Sequence, residues 1–454
     1  MKRFLWKGLS CLLVLSLLVC GLVSCKSTAQ KINELEGWEH FRELMLQVEK
    51  TEETIDSYTM EGELRFHGLV SDVGTDITTE SVASVSGLLE GEYADLRVQE
   101  SFMEIPDADF EQTITYTEGF SDGKAFRIYD ADGKGQRIWS EMTSTDYRAY
   151  ALEKSADLAM DISLLTEETA TVSYEYEKGE GWTVTVEDID DSVMDVYMTF
   201  LGFDELVEYE NPETMTIVFA IDDDFYKQSL KLEAVYEKEG FQDATTITME
   251  VAYKDYNATE VESVDLDDCT EVSDLRLIYR FEKLLKEMQT AKEGSFLVRH
   301  SVWADYGGAY DSDSEDATVS FREDDEGNYS YTLDSGTSTI ERKNVDKKQR
   351  AKIHALIDRI DFIGRAAYYV SDIRIVEGFY YEFVLTDVAP SNLASIQQSL
   401  GTEEYTSEAT LMFKVQDEKL IEYRCELELE LEGKYGTFEF GSSTYYEADP
   451  ETED

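Results

Sequence analysis

The sequence predicts an α+β protein made of two tandem units with the same organisation, and three observations predict it. Apolar residues recur at three- and four-residue spacing in some stretches, as in amphipathic helices. Elsewhere apolar and polar residues alternate, as in half-buried antiparallel strands. The order helix, strands, helix, strands occurs twice along the 454 residues, a length that itself favours more than one domain.

The first element is a short N-terminal hydrophobic segment that indicates export from the cytoplasm. It opens with three basic residues and continues as a charge-free run over 8–24, which is short for a membrane span. It closes on Leu22-Val23-Ser24-Cys25, which resembles the lipobox of bacterial lipoproteins. The resemblance implies that residues 1–24 are a cleaved signal peptide and that Cys25 carries a diacylglyceryl group. We therefore expect an extracytoplasmic protein anchored in the cell membrane by lipid.

Two other interpretations of this segment are open. The segment is instead an ordinary secretory signal, without acylation, if Cys25 follows Ser24 only by chance. Acylation at Cys20 fits less well, because Val19 occupies a position where a small residue is wanted.

The predicted tether between the lipid and the first folded unit is short. Residues 25–31 separate the anchor from the first amphipathic helix. Fully extended, the six residues after Cys25 reach only about 20 Å. The membrane is thus an expected partner through the lipid, with the first unit close to the bilayer.

The acidity of the chain excludes some partners. The formal net charge is −58, and the predicted leader holds basic residues and no acidic ones, so the mature chain is more negative still. Such a surface disfavours nucleic acid and is repelled by anionic lipid headgroups. With 42% hydrophobic and 12% aromatic residues, the chain is nevertheless predicted to fold.

The internal repeat begins with two amphipathic helices. The first has its apolar stripe at Ile32, Leu35, Trp38, Phe41, Met45 and Val48, and the second at Leu275, Ile278, Phe281, Leu285 and Met288. Alignment of Phe41 with Phe281 sets an offset of 240 residues. Alternating strands and a turn-rich hairpin region follow each helix.

Later segments match in the same order. A second helical stretch follows in each half, ALEKSADLAMDISLL from Ala151 and AKIHALIDRIDFIG from Ala351. A strand then follows in each half, TIVFAIDD from Thr216 and TLMFKVQD from Thr410. We interpret this order as a tandem duplication, with a first domain at 32–264, a linker at 265–270, a second domain at 271–449 and an acidic tail at 450–454.

This pattern resembles the lipoprotein-carrier superfamily, which includes LolA-like and LppX-like envelope lipoproteins. Three segments carry the resemblance: FRELMLQVEKTEETIDSYTMEGELRF from Phe41, the GKAFRIYDADGKG hairpin, and ITMEVAYKDYNATEV from Ile247. The resemblance implies that each unit is a half-barrel, a curved antiparallel sheet with helices on its concave face, around a cavity for lipid or acyl chains. The second unit departs from it by lacking a clear counterpart of SYTMEGELRF.

Four residues are candidates for the wall of such a cavity. Tyr58, Met60, Leu64 and Phe66 share parity on the strand that follows the first helix. Strands favour aromatic residues for packing alone, so an ordinary core role is the alternative for each of them.

The sequence offers no catalytic signature. Motifs such as GxSxG, HExxH and a phosphate-binding glycine loop do not occur, and His40, His67, His300 and His354 stand singly. We therefore expect a non-enzymatic protein without a cofactor.

A metal site is not expected either. The acidic stretch 311–316 is predicted as a loop with carboxylates at alternating positions, which suits calcium. An EF-hand loop, however, needs glycine where Asp316 stands and glutamate where Arg322 stands. The other candidate, Asp132-Gly133, is better explained as the turn of a hairpin between AFRIY and QRIW.

Cysteine usage indicates no disulfide framework. Beyond Cys25 the mature chain has only Cys269 and Cys425. Cys425 alternates with apolar residues in IEYRCELELELE, so we expect a small buried hydrophobe on a strand. A bridge between the two cysteines is the open alternative.

Together these observations favour a membrane-anchored lipoprotein that binds or carries a hydrophobic ligand, such as a lipid or acyl chain. The alternative is a structural or protein-interaction module with filled cores and an acidic docking face. An apolar cavity between helix and sheet favours the first interpretation, and a packed interior favours the second.

Overall fold

A computed structural model describes residues 28–70, 73–106, 110–131, 135–149, 164–200, 212–236, 245–289, 291–306, 309–324, 328–345, 349–350, 353, 369–376, 380–388, 405–433 and 436–449. The predicted signal peptide, Cys25 and the tail 450–454 lie outside these residues, as do almost all of the two predicted second helical stretches. The helices whose bounds lie within these residues are α1 (Thr28–Ile32), α2 (Gly37–Glu52), α3 (Asp191–Phe200) and α4 (Arg276–Gln289), and residues 144–149 are also helical.

The first sheet has twelve strands. Its strands are β1 (Tyr58–Val70), β2 (Val73–Ser86), β3 (Ala94–Ile105), β4 (Phe110–Ser121), β5 (Lys124–Ala131), β6 (Arg137–Glu141), β7 (Thr171–Glu177), β8 (Gly181–Glu187), β9 (Thr214–Ile221), β10 (Lys227–Tyr236), β11 (Thr245–Lys254) and β12 (Thr270–Glu271). Their order in the sheet is β12-β6-β5-β4-β3-β2-β1-β11-β10-β9-β8-β7. All neighbours are antiparallel except β12, which pairs parallel with β6.

The second sheet has nine strands. They are β13 (Glu293–Tyr306), β14 (Ala309–Glu323), β15 (Tyr329–Asp334), β16 (Thr339–Val345), β17 (Val370–Val376), β18 (Tyr380–Thr386), β19 (Tyr405–Gln416), β20 (Lys419–Gly433) and β21 (Gly436–Ala448). Their order is β16-β15-β14-β13-β21-β20-β19-β18-β17.

The two sheets share one connection pattern. In each, the first strand after the long helix lies inside the sheet and pairs with the last strand of the unit, β1 with β11 and β13 with β21. The matched segments TIVFAIDD and TLMFKVQD lie on β9 and β19, the third strand from the end of each unit. Phe219 and Phe413 occupy equivalent positions in these segments and are both buried. The shared connection pattern is compatible with a tandem duplication, which stays a prediction.

The predicted α+β class is wrong, because the fold is mostly β. In the described part of the chain 21 strands form two large sheets, and helical segments make up a much smaller share. The prediction of helices on the concave face of each half-barrel fails with it, and α4 contacts the second sheet through Phe281 and the first sheet through Glu282. Some segments predicted as loops continue as strands: β14 runs straight through the acidic stretch 311–316. Alternating exposed carboxylates are compatible with a strand, because neighbouring side chains point to opposite faces.

Two large hydrophobic clusters fill the interior. One joins α2 and α3 to strands β8–β11, with Phe41, Leu44 and Tyr197 among its buried members. The other is continuous across the two sheets, because it includes Phe120 on β4 and Phe413 on β19 as well as Phe281 on α4. The two units are therefore joined through a common core.

Side chains also join the sheets at their edges. Gln136 donates a side-chain hydrogen bond to the carbonyl oxygen of Val370 on β17 at 3.0 Å. Ser273, just before α4, donates to the carbonyl oxygen of Ile373 at 3.0 Å. The Gln136 bond fixes the start of the edge strand β17 against the first unit, and the Ser273 bond ties the middle of the same strand to the segment before α4.

Candidate functional site

Helix α4 positions the candidate site, because its residues divide between two environments. Phe281 has no exposed surface, and its ring centroid lies 5.6 Å from that of Phe383 and 4.9 Å from that of Phe413 in the second sheet. Glu282 and Tyr279 instead face strand β5 of the first sheet. The helix is therefore held from both sides, and its C-terminal turns contribute to a cavity in the second unit.

This cavity has a volume of about 180 Å³ and lies between the end of α4 and strands β13, β14, β20 and β21. Its apolar wall consists of Leu284, Met288, Ala291, Phe296, Phe321, Leu420, Tyr446 and Ala448. An engineered apolar cavity of about 150 Å³ is enough to bind benzene. The cavity can therefore hold the end of one alkyl chain, and it is smaller than the roughly 300–1,000 Å³ of drug-sized pockets.

The mouth of the cavity is charged, in contrast to its wall. Glu287, Glu293, Lys419 and Asp449 line it, and all four are exposed. A concave apolar interior with a few polar groups at its opening is the usual anatomy of a small-molecule site. The arrangement offers no nucleophile with a base and suits binding rather than chemistry.

The four sequence-predicted wall residues lie elsewhere. Phe66 is buried, and Leu64 packs against the same cluster, beside the core of α2. Tyr58 packs against the cluster that spans the two sheets, and Met60 is half-buried. All four share one face of β1, but the cavity at α4 is lined by other residues.

A buried network of charged and phenolic groups fastens α4 to the first sheet. Arg127 on β5 and Glu118 on β4 are directly paired across the strands, and neither has exposed surface. Arg127 Nε lies 3.4 Å from Glu118 Oε2 and donates to the hydroxyl of Tyr116 at 2.9 Å. Its Nη2 donates to Glu282 Oε1 on α4 at 2.8 Å. The Arg127 guanidinium also lies 5.5 Å from the ring centroid of Tyr279.

Asp95 on β3 extends this network. It is fully buried, accepts a 3.4 Å hydrogen bond from the Tyr93 hydroxyl and lies 4.0 Å from Arg97 Nη2. The pKa of Asp95 is raised to about 6, mainly by burial; Arg97 opposes the shift and the nearby Glu118 adds to it. At mildly acidic pH the folded state therefore favours the protonated form of Asp95.

Sequence reasoning missed this network, although a signal was present. On β5 the buried face passes through Ala125, Arg127 and Tyr129, so the arginine is in phase with the core. Glu118 likewise alternates with apolar residues on β4. A charged residue at an in-phase position on each of two successive strands indicates a buried ion pair, because such charges are rarely buried alone.

The described histidines occupy separate environments. His40 is buried and stacks on Tyr174 with ring centroids 3.5 Å apart, and burial lowers its pKa. His67 Nδ1 lies 2.5 Å from Asp76 on exposed surface. His300 Nδ1 lies 2.7 Å from Thr444 Oγ1, while His354 lies outside the described residues.

The described cysteines are unbridged, and one of them lies in the core. Cys425 is buried on β20, which confirms the prediction of a small core hydrophobe, and burial raises its pKa. Cys425 and Cys269 are both free thiols. Within the described ranges no group of three or more His, Cys, Asp or Glu side chains is arranged to hold a metal ion. Strands β5 and β6 pair antiparallel, as the predicted hairpin between AFRIY and QRIW requires, while Asp132 and Gly133 themselves lie outside the described residues.

Comparisons with known proteins give no family. No protein-family model and no curated protein matches the chain. A candidate outer membrane protein from Bacteroides fragilis is 9% identical, with 88% of this chain and 99% of that chain covered and a TM-score of 0.17. A protein of the DUF3598 family from Nostoc punctiforme is 10% identical, with 88% and 98% covered and a TM-score of 0.14.

A third solved structure is transferrin binding protein B from Haemophilus parasuis. It is 9% identical, with 87% of this chain and 76% of that chain covered and a TM-score of 0.14. Similarities at these TM-scores carry no argument about function. Among the helices in the described ranges, none combines the length and apolar character needed to cross a membrane.

Proposed function

We propose that this chain is a non-enzymatic, extracytoplasmic lipoprotein, anchored through Cys25, whose second unit binds the end of an apolar chain. The observation that carries the proposal is the cavity of about 180 Å³ beside α4, with its apolar wall and charged mouth. Its volume suits one chain end rather than a whole two-chain lipid.

Binding can be tested on an unlipidated chain of residues 26–454. Native mass spectrometry with 1-octanol is expected to show one bound molecule. Ala448→Phe, which places a ring in the cavity, should abolish this binding. Ala309→Phe on the exposed part of β14 is the matched control and should bind normally. Absence of octanol binding by the native sequence, or equal binding by the Ala448→Phe variant, would contradict the proposal.

The anchor requires a separate test. Cys25→Ala should move the protein from the membrane fraction to the soluble fraction of the host cell, because the acidic chain has little other attraction for anionic lipid. Unchanged membrane association of this variant would refute lipid anchoring.

A second candidate function applies to the first unit. The core beneath α2 is filled, with Leu44, Val48 and Phe66 all buried in one cluster. A filled core favours a structural or protein-interaction role for this unit. Cross-linking in cells that captures one defined protein through the first unit would support that role, and capture through the second unit alone would oppose it.

A further inference from the structure

We propose that the cavity beside α4 selects single-chain amphiphiles whose head group is cationic or uncharged and discriminates against anionic ones. This inference rests on the proposed function, and it adds the class of ligand. It follows from the contrast between the interior of the cavity and its mouth.

The interior sets the orientation of the ligand. Phe296, Leu284 and Tyr446 line the cavity and are almost fully buried, so the deep end offers apolar contacts. The charged lining residues are all exposed. An amphiphile therefore gains most with its alkyl end inside and its head group at the mouth, where water still solvates it.

The volume sets the number of chains. About 180 Å³ is slightly larger than a cavity that holds one benzene molecule. It has no room for two parallel chains, so a single short or medium chain is the expected occupant.

The charge of the mouth sets the preference for the head group. Three carboxylates line it, from Glu287, Glu293 and Asp449, against one ammonium group from Lys419. Arg322 Nε lies 3.9 Å from Glu293 Oε2, but both side chains are about three-quarters exposed, so this pair is weak. The lining residues thus have an excess of negative charge, in a chain whose net charge is −58.

The size of the preference follows from elementary electrostatics. With the head group about 7 Å from an excess of two negative charges in water, and with partial screening at 0.1 M salt, a cation should bind about tenfold more tightly than an anion of the same chain length. An uncharged head group should fall between the two. High salt should reduce the difference.

Three probes of equal length test the inference: octylammonium, 1-octanol and octanoate at pH 7.5, titrated into residues 26–454 and followed by calorimetry. The expected order of affinity is octylammonium, octanol, octanoate, with the difference between the two ions reduced at 0.5 M salt. The doubly substituted variant Glu287→Lys with Glu293→Lys should reverse the order of the two ions.

A matched control separates the mouth from the charge of the whole chain. Glu428→Lys with Glu430→Lys makes the same change in net charge at exposed positions on β20 that do not line the cavity. This control should keep the original order. If none of the three probes binds, the proposed function itself fails. If octanol binds but the two ions bind equally, or if both double variants change the order alike, only the selectivity inference is overturned.

Discussion

Replacement of Arg127 by methionine should destabilise the protein far more than the loss of a surface charge. Methionine keeps much of the side-chain volume and removes the guanidinium. Glu118 would then stay fully buried and lose its counter-charge, although the Tyr116 hydroxyl still donates to it, and Glu282 on α4 would lose a 2.8 Å hydrogen bond. The variant would therefore also lose the contact that joins the cavity-lining helix α4 to the first sheet.

The magnitude follows from the burial of the pair. Breaking a buried ion pair by removing one partner costs about 3–5 kcal/mol, because an uncompensated charge stays inside. Arg65→Met is a matched control on β1, where the Arg65–Glu63 pair has side chains 64% and 34% exposed. An exposed pair of this kind contributes at most about 1 kcal/mol.

Urea unfolding of the two variants, followed by circular dichroism and by fluorescence, measures the difference. The Arg127→Met penalty should shrink in acid, where Glu118 becomes protonated and no longer needs a counter-charge. Addition of Glu118→Gln to Arg127→Met should recover part of the loss, since the buried charge is then gone. Equal free energies of unfolding for Arg127→Met and Arg65→Met would refute the reasoning.

Three further predictions concern burial. The folded pKa of Asp95, about 6, lies above its ordinary value of 3.8, so its contribution to stability is full below pH 4 and is lost as the pH rises to 6. The free energy of unfolding of Asp95→Asn, measured in urea, should therefore rise by about 3 kcal/mol relative to that of the native sequence between pH 4 and pH 7. A difference between the two proteins that stays constant with pH would contradict this. Phe66→Ala should cost about 3–5 kcal/mol and Met60→Ala clearly less, because only Phe66 is fully enclosed; equal losses would contradict the described packing. In the folded chain of residues 26–454, a thiol reagent should modify half-buried Cys269 well before buried Cys425. Equal rates of modification of the two thiols, measured by mass spectrometry, would contradict this.

Local features of the fold could be predicted from the sequence where one pattern dominates. The apolar stripe on α2 placed Phe41 and Val48 in the core, and the structure buries both. The alternation around Cys425 predicted a strand with that thiol inside, which β20 confirms. Such patterns succeed because a single buried face determines the period.

The class of the fold could not be predicted in the same way. Turn-rich and acidic segments gave no apolar alternation, yet β14 continues through the acidic stretch 311–316. Strand pairing there is supplied by backbone hydrogen bonds to β13 over the whole strand, which the side-chain pattern does not reveal. The β content was therefore underestimated and the helical content given too much weight.

The candidate site was hidden for a related reason. Helix α4 has an apolar face that was predicted, but the contacts of Glu282 and Met288 depend on which two sheets approach the helix. The periodicity of a segment predicts its own secondary structure, but it does not predict which distant strands pack against it. The strand carrying Tyr58 is the better candidate by pattern, whereas the cavity lies between the end of α4 and strands β13, β14, β20 and β21.

The most direct test of the account is to locate the bound chain end. An octanol analogue with a diazirine at its far carbon, photolysed in complex with residues 26–454, should label peptides that contain Met288 or Leu420, both on the cavity wall. Because the probe is uncharged, the result does not depend on head-group selectivity. Labelling confined to strand β1, or scattered over the surface without saturation, would contradict the claim that the cavity beside α4 receives an apolar chain.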